Sequence, residues 1–368
     1  MKIPFLSLSQ QNDLIKDRAL QVIKEILHKD WYILGQEVAQ FEEEYAAFNQ
    51  TSFSIGVGNG LDALRIALMS LGVKAGDEVI VPSNTFIATW LAVSDVGAKI
   101  IPVEPNKRTY NLSSDLIEKA ITPRTKAIIP VHLYGQACEM NKIMSIAKKY
   151  NLFVIEDNAQ AQGATSNGQL TGSFGEINAT SFYPGKNLGA MGDAGAITTH
   201  NKQLNDKARE LRNYGSSEKY IHNSLGFNSR LDEFQAAILR LKLHYLSDWN
   251  AERLKLADCY NKGLKEVGDI ILPYVAENST HVYHLYVIRT KRRDELRIDL
   301  EKKGITTLIH YPIPPYLQEA YKHLKYKKGS FPIAEEIAET CLSLPLYPGL
   351  SEEQVNYISK TIRDFFEQ

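Results

Sequence analysis

The chain reads as an α/β protein built on a mostly parallel sheet with helices on both faces. Three observations predict this. Short strand-like runs alternate with helix-length amphipathic stretches through the first half of the sequence. The run Leu152-Phe153-Val154-Ile155 is apolar throughout, as a strand buried on both faces is. The Gly-rich stretch Gly56-Val57-Gly58-Asn59-Gly60 opens a helix whose leucines fall at 61, 64, 68 and 71, one buried stripe. A chain of 368 residues suits two cores rather than one. The expected division is a large domain over 1–245 and a smaller C-terminal α+β domain over 246–368.

Each element has its own warrant. Residues 11–28 place Leu14, Ala19, Val22, Ile23 and Ile26 at helical spacing, a candidate buried face. Trp31-Tyr32-Ile33-Leu34-Gly35 reads as an aromatic turn packed on a core. A second helix covers roughly 36–48, and its Glu42-Glu43-Glu44 run reads as a solvated face. Glu78–Pro82 is a strand, and Ser83-Asn84-Thr85-Phe86 starts the next helix. Further strands fall near 99–103, 126–131 and 152–156. Residues 177–183 alternate as a strand until Pro184-Gly185 breaks them. Helices at 231–244 and 246–266 lead into the second domain. There 282–289 reads as a strand, 292–303 as a helix and 305–309 as a strand. Lys325–Gly329 reads as an exposed loop.

Composition narrows the function. Apolar residues make up 44% and charged residues 23%, as in soluble globular proteins. The net charge of −1 gives no electrostatic reason to expect nucleic acid or an anionic membrane as partner. No apolar run approaches the ~20 residues that span a bilayer, and Met1–Phe5 lacks the apolar core of a signal peptide. Cys138, Cys259 and Cys341 are few and far apart, which suits free thiols in a reducing cytoplasm. His281-Val282-Tyr283-His284 has no Cys or carboxylate cluster beside it, so no metal is expected.

Two residues carry the chemistry. Lys186 follows the Pro184-Gly185 break, and a lysine whose pKa is lowered attacks carbonyl carbons. Most lysines are solvated surface residues, so the signal is weak alone. Asp157 stands just past the apolar run 152–155, where ligands of open α/β sheets bind. Pyridoxal phosphate (PLP) needs a lysine for its aldehyde and a carboxylate for its pyridinium nitrogen. Asp157 and Lys186 supply that pair, although Asp157 alone reads equally well as a helix cap. The Gly-rich turn before the helix at 61 is an anion site. It fails the G-x-G-x-x-G spacing of a dinucleotide site, because residue 61 is Leu, and lacks the Lys-Ser/Thr of a Walker loop. The phosphate of PLP is the better ligand, and an NAD-dependent sugar-nucleotide dehydrogenase is the weaker reading.

Val154-Ile155-Glu156-Asp157-Asn158-Ala159-Gln160-Ala161, followed by Ser181-Phe182-Tyr183-Pro184-Gly185-Lys186-Asn187-Leu188-Gly189, resembles the DegT family of PLP-dependent nucleotide-sugar aminotransferases. The likeness runs from Pro4-Phe5-Leu6 to His310-Tyr311-Pro312. It implies fold type I, a large PLP-binding domain with a mixed, mostly parallel sheet. It implies that the amides of Gly60 and Leu61, the Ser181 hydroxyl and the Asn228 of a neighbouring subunit hold the phosphate. Phe86 would stack on the ring and Gln160 would lie near its oxygen. Lys186 would carry PLP, and Asp157 would keep the ring nitrogen protonated. Tyr183, His310 and Tyr311 would line the sugar pocket, with Gly35 and Lys219 on the substrate side. Members with a Tyr-Pro-Gly-Lys loop and His-Tyr-Pro aminate C3 of a keto-6-deoxyhexose, with L-glutamate as donor. A cytoplasmic homodimer with shared sites would serve surface-glycan (lipopolysaccharide or O-antigen) or antibiotic deoxyamino-sugar synthesis. Relatives often carry His after Pro314-Pro315, where this chain has Tyr316. The alternatives are C4 amination and a non-catalytic PLP-fold regulator. Sugar dehydratases of the family replace the lysine by histidine, so Lys186 argues against that activity.

Overall fold

Strand pairing in the computed structural model, which describes residues 1–367, joins the first half of the chain into one mixed sheet. The strands are β1 (Phe53–Val57), β2 (Glu78–Pro82), β3 (Lys99–Val103), β4 (Thr125–Ile128), β5 (Phe153–Val154), β6 (Asn178–Ser181) and β7 (Gly195–Thr199). A parallel set runs β3-β2-β4-β5, and an antiparallel set runs β1-β7-β6. Asp157 joins the two sets through parallel bridges to Val131 on one side and Ala179 on the other. All five residues of β2 are buried, as a central strand between two helical layers requires.

The helices are α1 (Ser9–Lys29), α2 (Gln36–Phe48), α3 (Gly60–Ser70), α4 (Ile87–Asp95), α5 (Ser114–Ala120), α6 (Met140–Tyr150), α7 (Lys202–Arg212), α8 (Glu233–Leu243), α9 (Leu246–Gly263), α10 (Arg293–Lys302), α11 (Pro332–Thr340) and α12 (Glu352–Phe366). The largest apolar cluster lies between the sheet and α3, α4 and α7, from Ile55 to Leu211, and takes in Tyr316 and Ala334. A second cluster gathers Leu256, Tyr260, Tyr286, Leu300, Leu342 and Ile358 around β8 (Tyr286–Arg289) and β9 (Cys341–Leu344), an antiparallel pair. Ile3, fully buried, belongs to this second cluster and bridges Ile305.

Several expectations shift. In α1 the buried face is Ile15, Ala19 and Ile26, with Ile15 and Ala19 packed on Ile238 of α8; Leu14 is 52% exposed. Each helical residue turns the face by about 100°, so Leu14, one residue before Ile15, points outward, while the expected Ala19 and Ile26 are buried and Val22 and Ile23 half-buried. Glu42 is not solvated. It is 6% exposed and accepts from the Gly56 N–H at 2.8 Å, while Arg209 and Arg212 pair with it. The charge run hides a buried ion pair whose partners lie about 170 residues away, beyond any sequence window. Glu43 is exposed, as expected, and Glu44 pairs with Arg240. The strand at 282–289 shortens to Tyr286–Arg289, and 305–309 forms no strand. Ile305 and Leu308 make only isolated bridges, to Ile3 and Ser343. Those two partners come from opposite ends of the chain, so no single neighbour extends the ladder.

Candidate active site

The lysine loop is closed by contacts that reach it from several directions. After β6, Phe182 is fully buried and stands edge-on to Phe41 and Tyr45, at 5.4 and 5.1 Å between centroids. The Lys186 N–H donates to the Tyr183 carbonyl at 2.8 Å, which makes the turn. A Cβ on Gly189 would stand 2.3 Å from the Pro184 carbonyl oxygen, so only glycine lets the loop fold back this tightly. Asn187, fully buried, donates to Asn250 Oδ1 at 2.8 Å and to the Val282 carbonyl at 3.1 Å. Lys186 is thereby held partly buried. Burial lowers its pKa to about 8, with the Asp157 charge opposing.

Asp157 is fixed by its backbone before its side chain is considered. Its N–H donates to the Pro130 carbonyl at 2.9 Å, and its carbonyl accepts from the His132 N–H at 3.2 Å. Thr89 Oγ1 donates to Oδ2 at 2.9 Å, and the Ala159 N–H donates to Oδ1 at 3.2 Å. No helix starts after it, so the helix-cap reading falls. Burial raises the carboxyl's pKa, while these two hydrogen bonds and the Lys186 charge oppose the rise. The neighbouring Glu156 faces the other way. Fully buried, it bonds His132 Nε2 at 2.8 Å and accepts the N–H groups of Gly172, Phe174 and Gly175. His132 Nδ1 accepts from the Cys138 N–H at 3.0 Å, so the Nε2 side donates to the carboxylate.

An anion cradle stands at the start of α3. Asn59 uses its side chain on the Asp62 N–H and its carbonyl on the Ala63 N–H, which leaves the N–H groups of Gly60 and Leu61 for an external acceptor. A Cβ on Gly60 would fall 2.6 Å from Ser181 Cβ, so the glycine allows β6 and its hydroxyl to approach the helix end. Phe86 occupies the position before α4, its ring half exposed and tilted against Tyr311 at 5.3 Å. The resemblance-derived set of Gly60, Leu61, Ser181, Phe86, Asp157 and Lys186 thus offers amides and a hydroxyl for a phosphate, an aromatic face, a buried carboxylate and a desolvated amine. These groups fit PLP.

Gln160 serves the chain itself as well. Its Oε1 accepts from the Tyr134 N–H at 2.6 Å and its Nε2 donates to the Tyr311 hydroxyl at 3.1 Å. His310 bonds Ser343 Oγ through Nδ1 at 2.8 Å and lies against Phe5 at 5.7 Å. Burial and then the Lys186 charge lower its pKa to about 4, so the ring is neutral at ordinary pH. Tyr316 is a core residue. It is 1% exposed, and its hydroxyl donates to Glu335 Oε1 at 2.6 Å, so the departure at this position lies in the packing of α11.

Other candidates lie apart from the Asp157–Lys186 pair. Tyr183 is 60% exposed at the mouth of the loop. The Gly35 N–H donates to Glu233 Oε1 at 2.9 Å, and a Cβ there would strike both Trp31 and Glu233. Trp31 is 63% exposed, with Tyr32 and Ile33 also open, so the turn packs on the core only through Leu34, against the cluster of Phe41 and Phe182. Lys219 lies in a hairpin, Ser216–Glu218 with Ile221–His222, and its ammonium sits over the Tyr220 ring. Asn228 is exposed, next to Ser229, whose hydroxyl accepts the Gly58 N–H at 3.0 Å. His281 stacks on Tyr283 at 3.9 Å, and among the described residues no group of three His, Cys, Asp or Glu could hold a metal. Thr89, Tyr134 and the His132–Glu156 pair escaped sequence reading. Thr89 could have been sought as the residue one helical turn into α4 that faces the strand ends.

Residues 13–363 match the DegT/DnrJ/EryC1/StrS aminotransferase family. The chain is 49% identical to a dTDP-3-amino-3,6-dideoxy-alpha-D-galactopyranose transaminase of Aneurinibacillus thermoaerophilus, covering 99% of both chains. It is 46% identical to a dTDP-3-amino-3,4,6-trideoxy-alpha-D-glucose transaminase of Streptomyces venezuelae, covering 100% of this chain and 97% of the relative. Its fold superposes with a TM-score of 0.98 on the crystal structure of S. venezuelae DesV in complex with a ketimine intermediate, at 46% identity over 100% of this chain and 99% of that one. The architecture is fold type I, and the chain belongs to the DegT/DnrJ/EryC1/StrS aminotransferase family.

Proposed function

We propose that this enzyme, using PLP, moves the amino group of L-glutamate to C3 of a dTDP-linked 3-keto-6-deoxyhexose. The observation that carries the reading is the desolvated Lys186 amine within the field of the buried, Thr89-bonded Asp157 carboxylate. PLP, when bound, supplies an electron sink that makes the Cα–H of the donor acidic. The chain supplies the rest. Gly60, Leu61 and Ser181 would hold the PLP phosphate, and Phe86 would cover one face of its ring. Asp157 would hold a proton on the ring nitrogen, its Oδ2 oriented by Thr89. Lys186 Nζ would move the proton at the donor Cα, and burial in the cofactor-free chain already lowers its pKa to about 8. His310, neutral, and Tyr311 offer hydrogen bonds to hydroxyls rather than charge to a carboxylate, which suits a neutral sugar.

The same reading completes each site from a second copy of the chain. Asn228, Lys219 and the exposed Trp31–Gly35 turn have no role in the one-chain site, and a homodimer gives them one. We keep the division into 1–245 and 246–368, supported by the cluster around Leu256 and Tyr286, which draws only Ile3 and Leu6 from the first part. Among the described residues no helix is long and apolar enough to cross a membrane. The proposed setting is the cytoplasm, in deoxyamino-sugar synthesis for a surface glycan or an antibiotic. The test is spectroscopic and chemical. L-Glutamate should bleach the visible band of the PLP-loaded protein, and a dTDP-3-keto-6-deoxyhexose should restore it while gaining an amine at C3. Lys186→Ala should abolish turnover. Bleaching without restoration by any 3-keto substrate, but with restoration by a 4-keto one, would move the reaction to C4. No bleaching at all would leave a regulator.

A further inference from the structure

Tyr134 stands at the junction of the cofactor platform and the sugar pocket, and no motif drew attention to it. Its backbone is in the left-handed region, with φ 61°, which a tyrosine adopts only when its surroundings require it. Three contacts impose that conformation. Its N–H donates to Gln160 Oε1 at 2.6 Å, its carbonyl accepts from the Leu285 N–H at 3.1 Å, and its hydroxyl donates to the carbonyl of His310. Gln160 Nε2 in turn donates to the Tyr311 hydroxyl at 3.1 Å.

His310 and Tyr311 are neighbours in the chain, so these bonds close a ring. It runs from the Tyr134 N–H to the Gln160 amide, to the Tyr311 phenol, through one peptide to the His310 carbonyl, and back to the Tyr134 phenol. Half of the ring stands three residues from Asp157. The other half is the 310–311 segment, which has no strand ladder to hold it. Tyr134 is 2% exposed and packs edge-on to Tyr110 at 5.7 Å. Burial pushes its phenol well above the ordinary value of 10, so it remains a donor throughout the working pH range. Tyr311, one member of this ring, lies tilted against Phe86 at 5.3 Å.

We propose that Tyr134 is a positioning residue that fixes His310 and Tyr311 against the cofactor platform, and so sets the affinity for the sugar. This rests on the aminotransferase reading above. Tyr134→Phe keeps the ring, its packing and its backbone, and deletes only the bond to His310. In the cofactor-free protein, amide hydrogen exchange over 308–312 should quicken about five- to tenfold, the worth of one net hydrogen bond. In the loaded protein, calorimetric affinity for a dTDP-linked 6-deoxyhexose should fall by a similar factor, with affinity for dTDP and the rate of bleaching by glutamate unchanged. Tyr311→Phe cuts the ring elsewhere, so the losses from the two substitutions should be less than additive in the double variant.

Unchanged exchange over 308–312 would overturn the proposal. So would equal losses of affinity for dTDP and for the dTDP-sugar, additive losses, or a lowered melting temperature with no selective loss. If the wild-type protein binds no dTDP-sugar at all, the function reading fails. The exchange measurement and its Tyr311→Phe double variant then still decide the ring.

Discussion

Lys186→Met should make the cofactor-free protein more stable near neutral pH. The lysine's pKa falls from an ordinary 10.5 to about 8 in the folded chain, through burial first, with Asp157 pulling it back up. Between those two values the unfolded chain binds more protons than the folded one. Wild-type stability therefore rises with pH from about 8 to 10.5, and the cost of holding the ammonium is present in full below about 8. At about 1.4 kcal/mol per pH unit the interval is worth roughly 3 kcal/mol. Removing the cation also takes support from the buried Asp157 carboxylate, whose pKa burial already raises, so the net gain should be nearer to about 1–2 kcal/mol. Methionine suits the test because its unbranched apolar chain fills the same channel. Urea unfolding of the stripped wild type and the variant, at several values between about pH 7 and pH 10.5, reads the difference directly. The variant's advantage should be largest near pH 7 and shrink towards pH 10.5. An advantage that stays constant across this range, or a more stable wild type at pH 7, would refute the claim that Lys186 is held desolvated.

Three other outcomes test the site. Asp157→Asn should slow turnover at saturating PLP by about a hundredfold or more, because a buried charge partner is worth a few kcal/mol when one member is removed; an unchanged rate would remove Asp157 from the mechanism. His310→Ala and Tyr311→Phe should each slow restoration of the visible band by keto-sugar, with bleaching by glutamate nearly intact, and equal damage to both would make them structural. Hybrid dimers of Lys186→Ala with an impaired Asn228→Ala should regain one site free of both lesions, and a fully active monomer in the ultracentrifuge would end the shared-site reading.

The sequence by itself determined what depends on neighbours in the chain. Hydrophobic period and turn residues placed β2, β3, α2 and the Lys186 loop, because a strand's burial and a Pro-Gly break are both written within a few residues. The place of Asp157 at the strand ends was legible because only Glu156 separates it from the apolar run 152–155. Tertiary structure alone decided what depends on partners far along the chain. Glu42 looks like any surface glutamate until Gly56, Arg209 and Arg212 surround it. The segment 305–309 has strand composition but no ladder, since Ile3 and Ser343 each offer it a single bridge. Thr89 reaches Asp157 across 68 residues and Tyr134 reaches His310 across 176. A side chain's hydrogen bond depends on which backbones the fold brings within about 3 Å of it. That distance is set by the packing of the whole sheet and its helices, and no local pattern encodes it.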